Sequence, residues 1–292
     1  MANVTLGLLM VVSPGESELG AESLSRALKC TPAGCRVFLV NNGALPDPQR
    51  WWTALGCPEH TIQVITPPAA PQAYFEIGRT VFSALREIAG SAPDILFKID
   101  PDTLVVSPEF FSDIVTLHSE KNAGFYACHA SSSRQNQFQR CVRLLADLIP
   151  VGVGRQPGMT RYGRGLRPRF RPAWYWRAGV AALRRARLCS SLQPSGGFYA
   201  LPGSTIVDLA ARGYLHTQGA TGLEWNDDTL LPIAVRAAGG RIYDIRSSRF
   251  APGWRWLHGS RYFSNEQAAE PGLRALHPVK LDAQDRALRN RT

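Results

Sequence analysis

At 292 residues and 45% hydrophobic composition, the chain can bury a sizeable core in one large domain, residues 1–292, which excludes a disordered or fibrous class. No run approaches the roughly 20 apolar residues needed to cross a bilayer, and "MANVTLGLLMVVSPG" lacks the basic start and cleavage site of a signal peptide, so a cytoplasmic protein is expected. The net charge of +10 is unevenly distributed, and its distribution matters more than its size.

In chain order, "VTLGLLMVVS" (4–13) is a continuous apolar run ended by Pro14-Gly15, the pattern of a strand buried on both faces. "GAESLSRALKC" supplies a helix, and "CRVFLVNNG" (35–43) a second buried strand closing on a turn. "TIQVIT" (61–66) makes a third strand. After a proline-rich loop, "AYFEIGRTVFSALREIAG" (73–90) carries apolar residues at helical spacing and ends in Gly90. "DILFKIDPDTLVV" follows as a fourth strand. Strands alternating with helices predict an α/β fold with a mostly parallel sheet flanked by helices, and such sheets bind ligands at the carboxyl ends of their strands.

Asp100 stands at that end of "ILFKI", and Pro101 stops regular pairing. With an extended backbone, Asp100 and Asp102 would point to the same side. Two carboxylates so close repel unless a cation lies between them, and hard ions such as Mg2+ or Mn2+ take carboxylates together with substrate phosphates. The alternative is an ordinary turn, since Asp and Pro are both turn residues.

Between Asp147 and Asp208 there is no acidic residue, and "GRQPGMTRYGRGLRPRFRPAWYWRAGVAALRRAR" carries ten arginines interleaved with aromatic residues. Glycines and prolines argue against regular structure up to about residue 173, after which "AWYWRAGVAALRRAR" has the pattern of a short basic helix. Residues 151–188 read as an Arg-rich insertion. A solvated loop, contact with an anionic membrane through 155–187, contact with a phosphate-bearing acceptor, and nucleic acid are the readings it allows. The six cysteines, Cys30, Cys35, Cys57, Cys128, Cys141 and Cys189, form no paired CxxC sets, and zinc at Cys30 and Cys35 lacks a second ligand pair.

The run from "VFLVNNG" through "EIGRTVFSALREI" to "DILFKIDPDTLVVSPEFF" resembles the nucleotide-sugar half of glycosyltransferases with the A-type (GT-A) fold. "PSGGFYALPG" (194–203) resembles the glycine-rich acceptor-side loop of that superfamily, "EWNDDTLLPIAV" (224–235) its acidic motif at a helix start, and "LHPVK" (276–280) its C-terminal metal-binding histidine. The flavour is that of the inverting β-1,3-galactosyltransferase and fringe group, although Asp227-Asp228 stands where many relatives have Glu-Asp.

The resemblance implies a nucleotide-sugar donor half in residues 1–110 and an acceptor half in 111–292. Asp100, Asp102 and His277 would hold a divalent metal, Mn2+ or Mg2+, and Lys280 would neutralise phosphate oxygens. An inverting enzyme needs a carboxylate base, for which Asp228 is the first candidate and Asp227 the second, each equally readable as a helix N-cap. Asn41, Asn42, Arg79, Lys98 and Asp100 fall on the donor side. Gly196 and Gly197 would let the backbone approach a sugar, Trp225 is a stacking candidate, and His258 rivals His277 for the metal. The expected reaction is transfer from a UDP-sugar to a glycan or lipid-linked acceptor at the inner face of a bacterial membrane. A retaining enzyme of the same fold is one alternative, and a non-catalytic binder of nucleic acid or anionic surfaces is another. Sugar nucleotidyltransferases are disfavoured, because "VVSPGESELG" has none of the basic residues their first loop requires.

Overall fold

The computed structural model describes residues 4–67, 77–129, 151–155, 166–170, 194–216, 227–256 and 271–277. A seven-stranded sheet of order β10-β6-β9-β4-β1-β2-β3 organises them. Its strands are β1 (Leu6–Val12), β2 (Arg36–Asn41), β3 (Thr61–Ile65), β4 (Ile95–Ile99), β6 (Phe125–His129), β9 (Pro194–Pro202) and β10 (Ile242–Asp244). All neighbouring pairs are parallel except those of β9, which runs antiparallel between β4 and β6.

The apolar run of β1 reflects burial on both faces. Leu9 and Val11 join one cluster, packed against α3 (Ile77–Ile88), α5 (Gly203–Ala211) and α6 (Asp227–Ala238). Leu8, Met10 and Val12 join the other, against α1 (Ser17–Cys30), α2 (Pro48–Ala54) and α4 (Glu109–Lys121). Each such side chain contributes about 1.5–3 kcal/mol relative to exposure, so the alternation of the strand is expressed as two cores rather than as a core and a wet face.

The four expected strands and the helix before β4 are all present, within one to four residues at most ends. The mixed sheet with flanking helices agrees with the expected class. Helix α2 was not expected; it begins where Asp47 accepts a hydrogen bond from the Arg50 N–H (2.9 Å) ahead of Pro48, a capped start that the short apolar pattern concealed.

The expectation of an irregular loop up to about residue 173 is overturned in part. Within the Arg-rich insertion, β7 (Val151–Arg155) and β8 (Leu166–Phe170) pair antiparallel from Val151↔Phe170 to Arg155↔Leu166, so part of it is a two-stranded ribbon despite its glycines and proline. Gly152 and Gly154 alternate with Val151 and Val153, a period of two that suits a strand. The candidate basic helix after residue 173 lies outside the described residues. A third sheet, β11 (Trp254–Trp256), β12 (Ala275–His277) and β5 (Leu104–Val105), closes over the carboxyl end of β4. No helix among the described residues is long and apolar enough to cross a membrane.

Candidate metal centre

Asp100 makes the last ladder contact of β4, its N–H donating to the Gly197 carbonyl at 2.7 Å. Pro101 has no N–H to continue the ladder, and the Thr103 N–H turns back to the Asp100 carbonyl at 2.9 Å. Asp100 to Thr103 is therefore a four-residue turn, not the extended segment expected from the sequence. The turn nonetheless brings both carboxylates together, so the turn reading and the metal reading describe the same feature.

Thr103 pins this turn from two sides. Its hydroxyl donates to the Gly197 carbonyl at 2.6 Å, and its carbonyl accepts from the Ser23 hydroxyl on α1. Strand β5 then pairs antiparallel with β12 through Leu104↔Leu276 and Val105↔Ala275, which carries the next residue, His277, to the turn. Arg274 anchors that strand, its Nε donating to Asp113 Oδ2 on α4 at 2.9 Å.

His277 Nδ1 lies 3.1 Å from Asp102 Oδ1 and 3.1 Å from Thr103 Oγ1. The Thr103 proton is already directed at Gly197, so Thr103 can only accept from the ring. In the neutral imidazole this assigns the proton to Nδ1 and the lone pair to Nε2.

Gly197 makes the approach of the imidazole possible. Its φ is +103°, and a Cβ there would lie 2.4 Å from His277 Cγ. Its N–H donates to Asp100 Oδ2 at 2.8 Å. The glycine expected to leave room for a sugar leaves room for the imidazole, and its backbone braces the first aspartate.

Asp100, Asp102 and His277 offer ligand atoms all within 4.8 Å of one another. Two carboxylates and an imidazole suit a hard or borderline divalent ion such as Mn2+, and the cradle at Gly197 shows that the chain is shaped to bring the imidazole there. Burial pushes the Asp100 carboxyl up, but the Lys98 ammonium, His277 and the Gly197 N–H outweigh it and hold the group below the usual carboxylate range. Glu16, on the loop after β1, is a further carboxylate near this centre. Burial raises it, the Ser13 N–H pulls it back, and the charges of Asp100 and Asp102 raise it further.

Lys98 points from β4 to the side of the sheet where α6 begins. Its side chain is 5% exposed, with Nζ 2.5 Å from Asp100 Oδ1 and 3.3 Å from Asp227 Oδ2. Nζ also stands 5.4 Å from the ring centroid of Tyr199, its cross-strand partner on β9. The Tyr199 hydroxyl donates to Asp227 Oδ2 at 2.8 Å. Asp227, the first residue of α6 and 3% exposed at its side chain, is thus enclosed by a cation and a phenol. Neither Tyr199 nor Thr103 was singled out in the sequence, where each reads as a strand or turn residue.

Asn41 folds its amide onto its own turn: Oδ1 accepts from the N–H groups of Ala44 (3.1 Å) and Leu45 (3.0 Å), and Nδ2 donates to the Leu45 carbonyl (2.7 Å). Asn42 is buried, and its Nδ2 donates to Ser13 Oγ at 3.1 Å, tying the ends of β2 and β1 together. Arg79 lies in the first turn of α3, and Gly196 lies in β9 beside Gly197. Asp228 is the second residue of α6, its side chain outside the described part. Lys280, Trp225 and His258 lie outside the described residues. Cys35 is buried, its thiol pushed up to about 12 by burial, and among the described residues it joins no metal-binding group with Cys30.

No family model matches the chain, and no curated protein matches it. Solved structures do. The chain is similar to TarS 1-349 of S. aureus at 10% identity and a TM-score of 0.44, over 82% of this chain and 57% of that one. It is also similar to the mannosyltransferase PcManGT of Pyrobaculum calidifontis, in complex with GDP-Man and Mn2+, at 12% identity and a TM-score of 0.45, over 82% of this chain and 54% of that one. The chain therefore spans little more than half the length of either.

Proposed function

We propose that this chain is a divalent-metal-dependent glycosyltransferase that moves a sugar from a nucleoside-diphosphate sugar to a glycan or lipid-linked acceptor. The observation that carries the reading is the Asp100, Asp102 and His277 group at the carboxyl end of β4 in a mostly parallel sheet.

Asp100, Asp102 and His277 would hold the cation. Once bound, a divalent ion supplies Lewis-acid stabilisation of the departing diphosphate. The Gly197 N–H keeps Asp100 oriented, and Thr103 fixes the imidazole, so the ligand set is arranged before any cation arrives. For an inverting reaction the base that takes the acceptor proton is Asp228, because Asp227 is already engaged by Lys98 and Tyr199. A UDP-sugar is the proposed donor, and the role proposed is bacterial surface polysaccharide or glycolipid synthesis. The arginines of 155–187 are proposed to meet the anionic headgroups or diphosphate of a lipid-linked acceptor at the cytoplasmic membrane face.

Calorimetry of UDP, GDP and CMP, each with and without Mn2+, on the wild-type chain and on Asp102→Ala tests the centre. One nucleotide binding only with Mn2+, and lost in the variant, supports the reading and identifies the donor base. Absence of binding under every condition overturns it. Deleting residues 155–172 tests the last element, which fails if vesicle association and acceptor affinity are both unchanged.

A further inference from the structure

We propose that Asp227 is a positioning residue that shares Lys98 with Asp100, receiving the ammonium when a divalent cation enters beside Asp100 and Asp102. The inference rests on the metal reading above. It gives Asp227 a role distinct from that of the base.

The geometry already divides Lys98 between two anions. Nζ is 2.5 Å from Asp100 Oδ1 and 3.3 Å from Asp227 Oδ2, so without a divalent ion the closer partner is the candidate metal ligand. An internal ammonium here acts as a resident counter-ion to the centre. A divalent ion arriving at Asp100 brings a second positive charge within a few ångströms of Nζ, where the interior screens poorly and repulsion is strong. Lys98 can relieve it with small rotations at the end of a flexible four-carbon stem.

Asp227 is prepared to receive it. The oxygen nearest Nζ is the one that accepts the Tyr199 hydroxyl, so the carboxylate is held in place independently of Lys98. The Tyr199 ring lies 5.4 Å from Nζ and favours an ammonium on that side of β4. The carboxylate also sits in the first turn of α6, where the helix dipole stabilises negative charge. Loading the centre would then tighten a bond to the start of α6, at the residue before Asp228. By reciprocity, whatever orders that helix start would raise the affinity for the cation.

The test is a cycle of Mn2+ titrations, read by calorimetry and by electron paramagnetic resonance of free Mn2+, on wild type, Asp227→Asn, Lys98→Met and the double variant. With Lys98 present, Asp227→Asn is expected to weaken Mn2+ binding about tenfold, because the ammonium stays on Asp100. In the Lys98→Met background the same change is expected to alter binding less than about twofold, since no cation needs to be moved. A structural role for Asp227 would weaken both backgrounds equally, and that result, or indifference in both, overturns the inference alone. Failure of the wild-type chain to bind Mn2+ overturns the metal reading and this inference with it. Should Asp227→Asn fail to fold, Tyr199→Phe, which removes one hydroxyl, takes its place, with a loss of about threefold expected only when Lys98 is present.

Discussion

Two strand ends meet at the same edge of the sheet, and they use polar side chains in opposite ways. At the end of β2, Asn41 satisfies its amide on residues 44 and 45, and Asn42 bonds to the end of the neighbouring strand. At the end of β4, Asp100 and Asp102 are met by groups from β9 and β12, and Lys98 beside them by Asp227 of α6, all far away in sequence. The first arrangement is local and finishes a loop. The second holds like charges close together with non-local supports, which is costly unless something is done with it. Where a strand end closes on its own backbone it supports the fold; where it gathers charge from distant elements it is the place to look for chemistry.

Four substitutions can break or sharpen that contrast, ordered by their expected effect on stability. Asp227→Ala leaves Lys98 with one buried partner fewer, and a loss of about 3–5 kcal/mol in urea unfolding is expected. Gly197→Ala places a Cβ against the His277 ring at a positive φ, and should cost about 2–3 kcal/mol while abolishing Mn2+ binding in the same titration. Asn41→Ala removes the local turn bonds and should cost about 1 kcal/mol, with Mn2+ affinity unchanged. A large effect of Asn41→Ala on Mn2+ would erase the distinction between the two strand ends. Asp102→Ala, at a side chain 35% exposed, should change stability by less than about 0.5 kcal/mol yet eliminate metal-dependent nucleotide binding. Stability and cation binding are thus expected to part company most sharply at the residue that faces the ligand.

The parts of the fold legible in the sequence are those whose signal is local. Strands β1 to β4 could be read because both faces are covered and the apolar runs are continuous between turn residues. Strand β6 has no strong local signal, and the antiparallel β9 reads as a glycine-rich loop because its first residues include Gly196-Gly197. The Arg-rich ribbon is hard to read because glycine and proline content masks its alternation. At the centre, Asp100, Asp102 and His277 could be nominated by motif and order, and the structure brings the three together. What could not be read was how they are held. The turn at Pro101, the imidazole seated over Gly197 and the link from Lys98 to Asp227 all depend on register between strands and helices separated by long stretches of chain.

Strand β12 also carries a kinetic consequence. Thr103 and His277 are 174 residues apart, and short pairings of β12 with β5 and β11, with the Arg274–Asp113 ion pair, bring them together. Such a contact closes late in folding, after the parallel sheet supplies a surface to dock on. Once formed, so short a sheet is expected to open more readily than the central strands β1 and β4. Amide exchange at Leu276 should therefore outpace exchange at Leu8 or Phe97, and bound cation should shield Leu276 preferentially. The ion would then leave at the pace at which this small sheet lifts, not at the far slower pace of whole-chain denaturation.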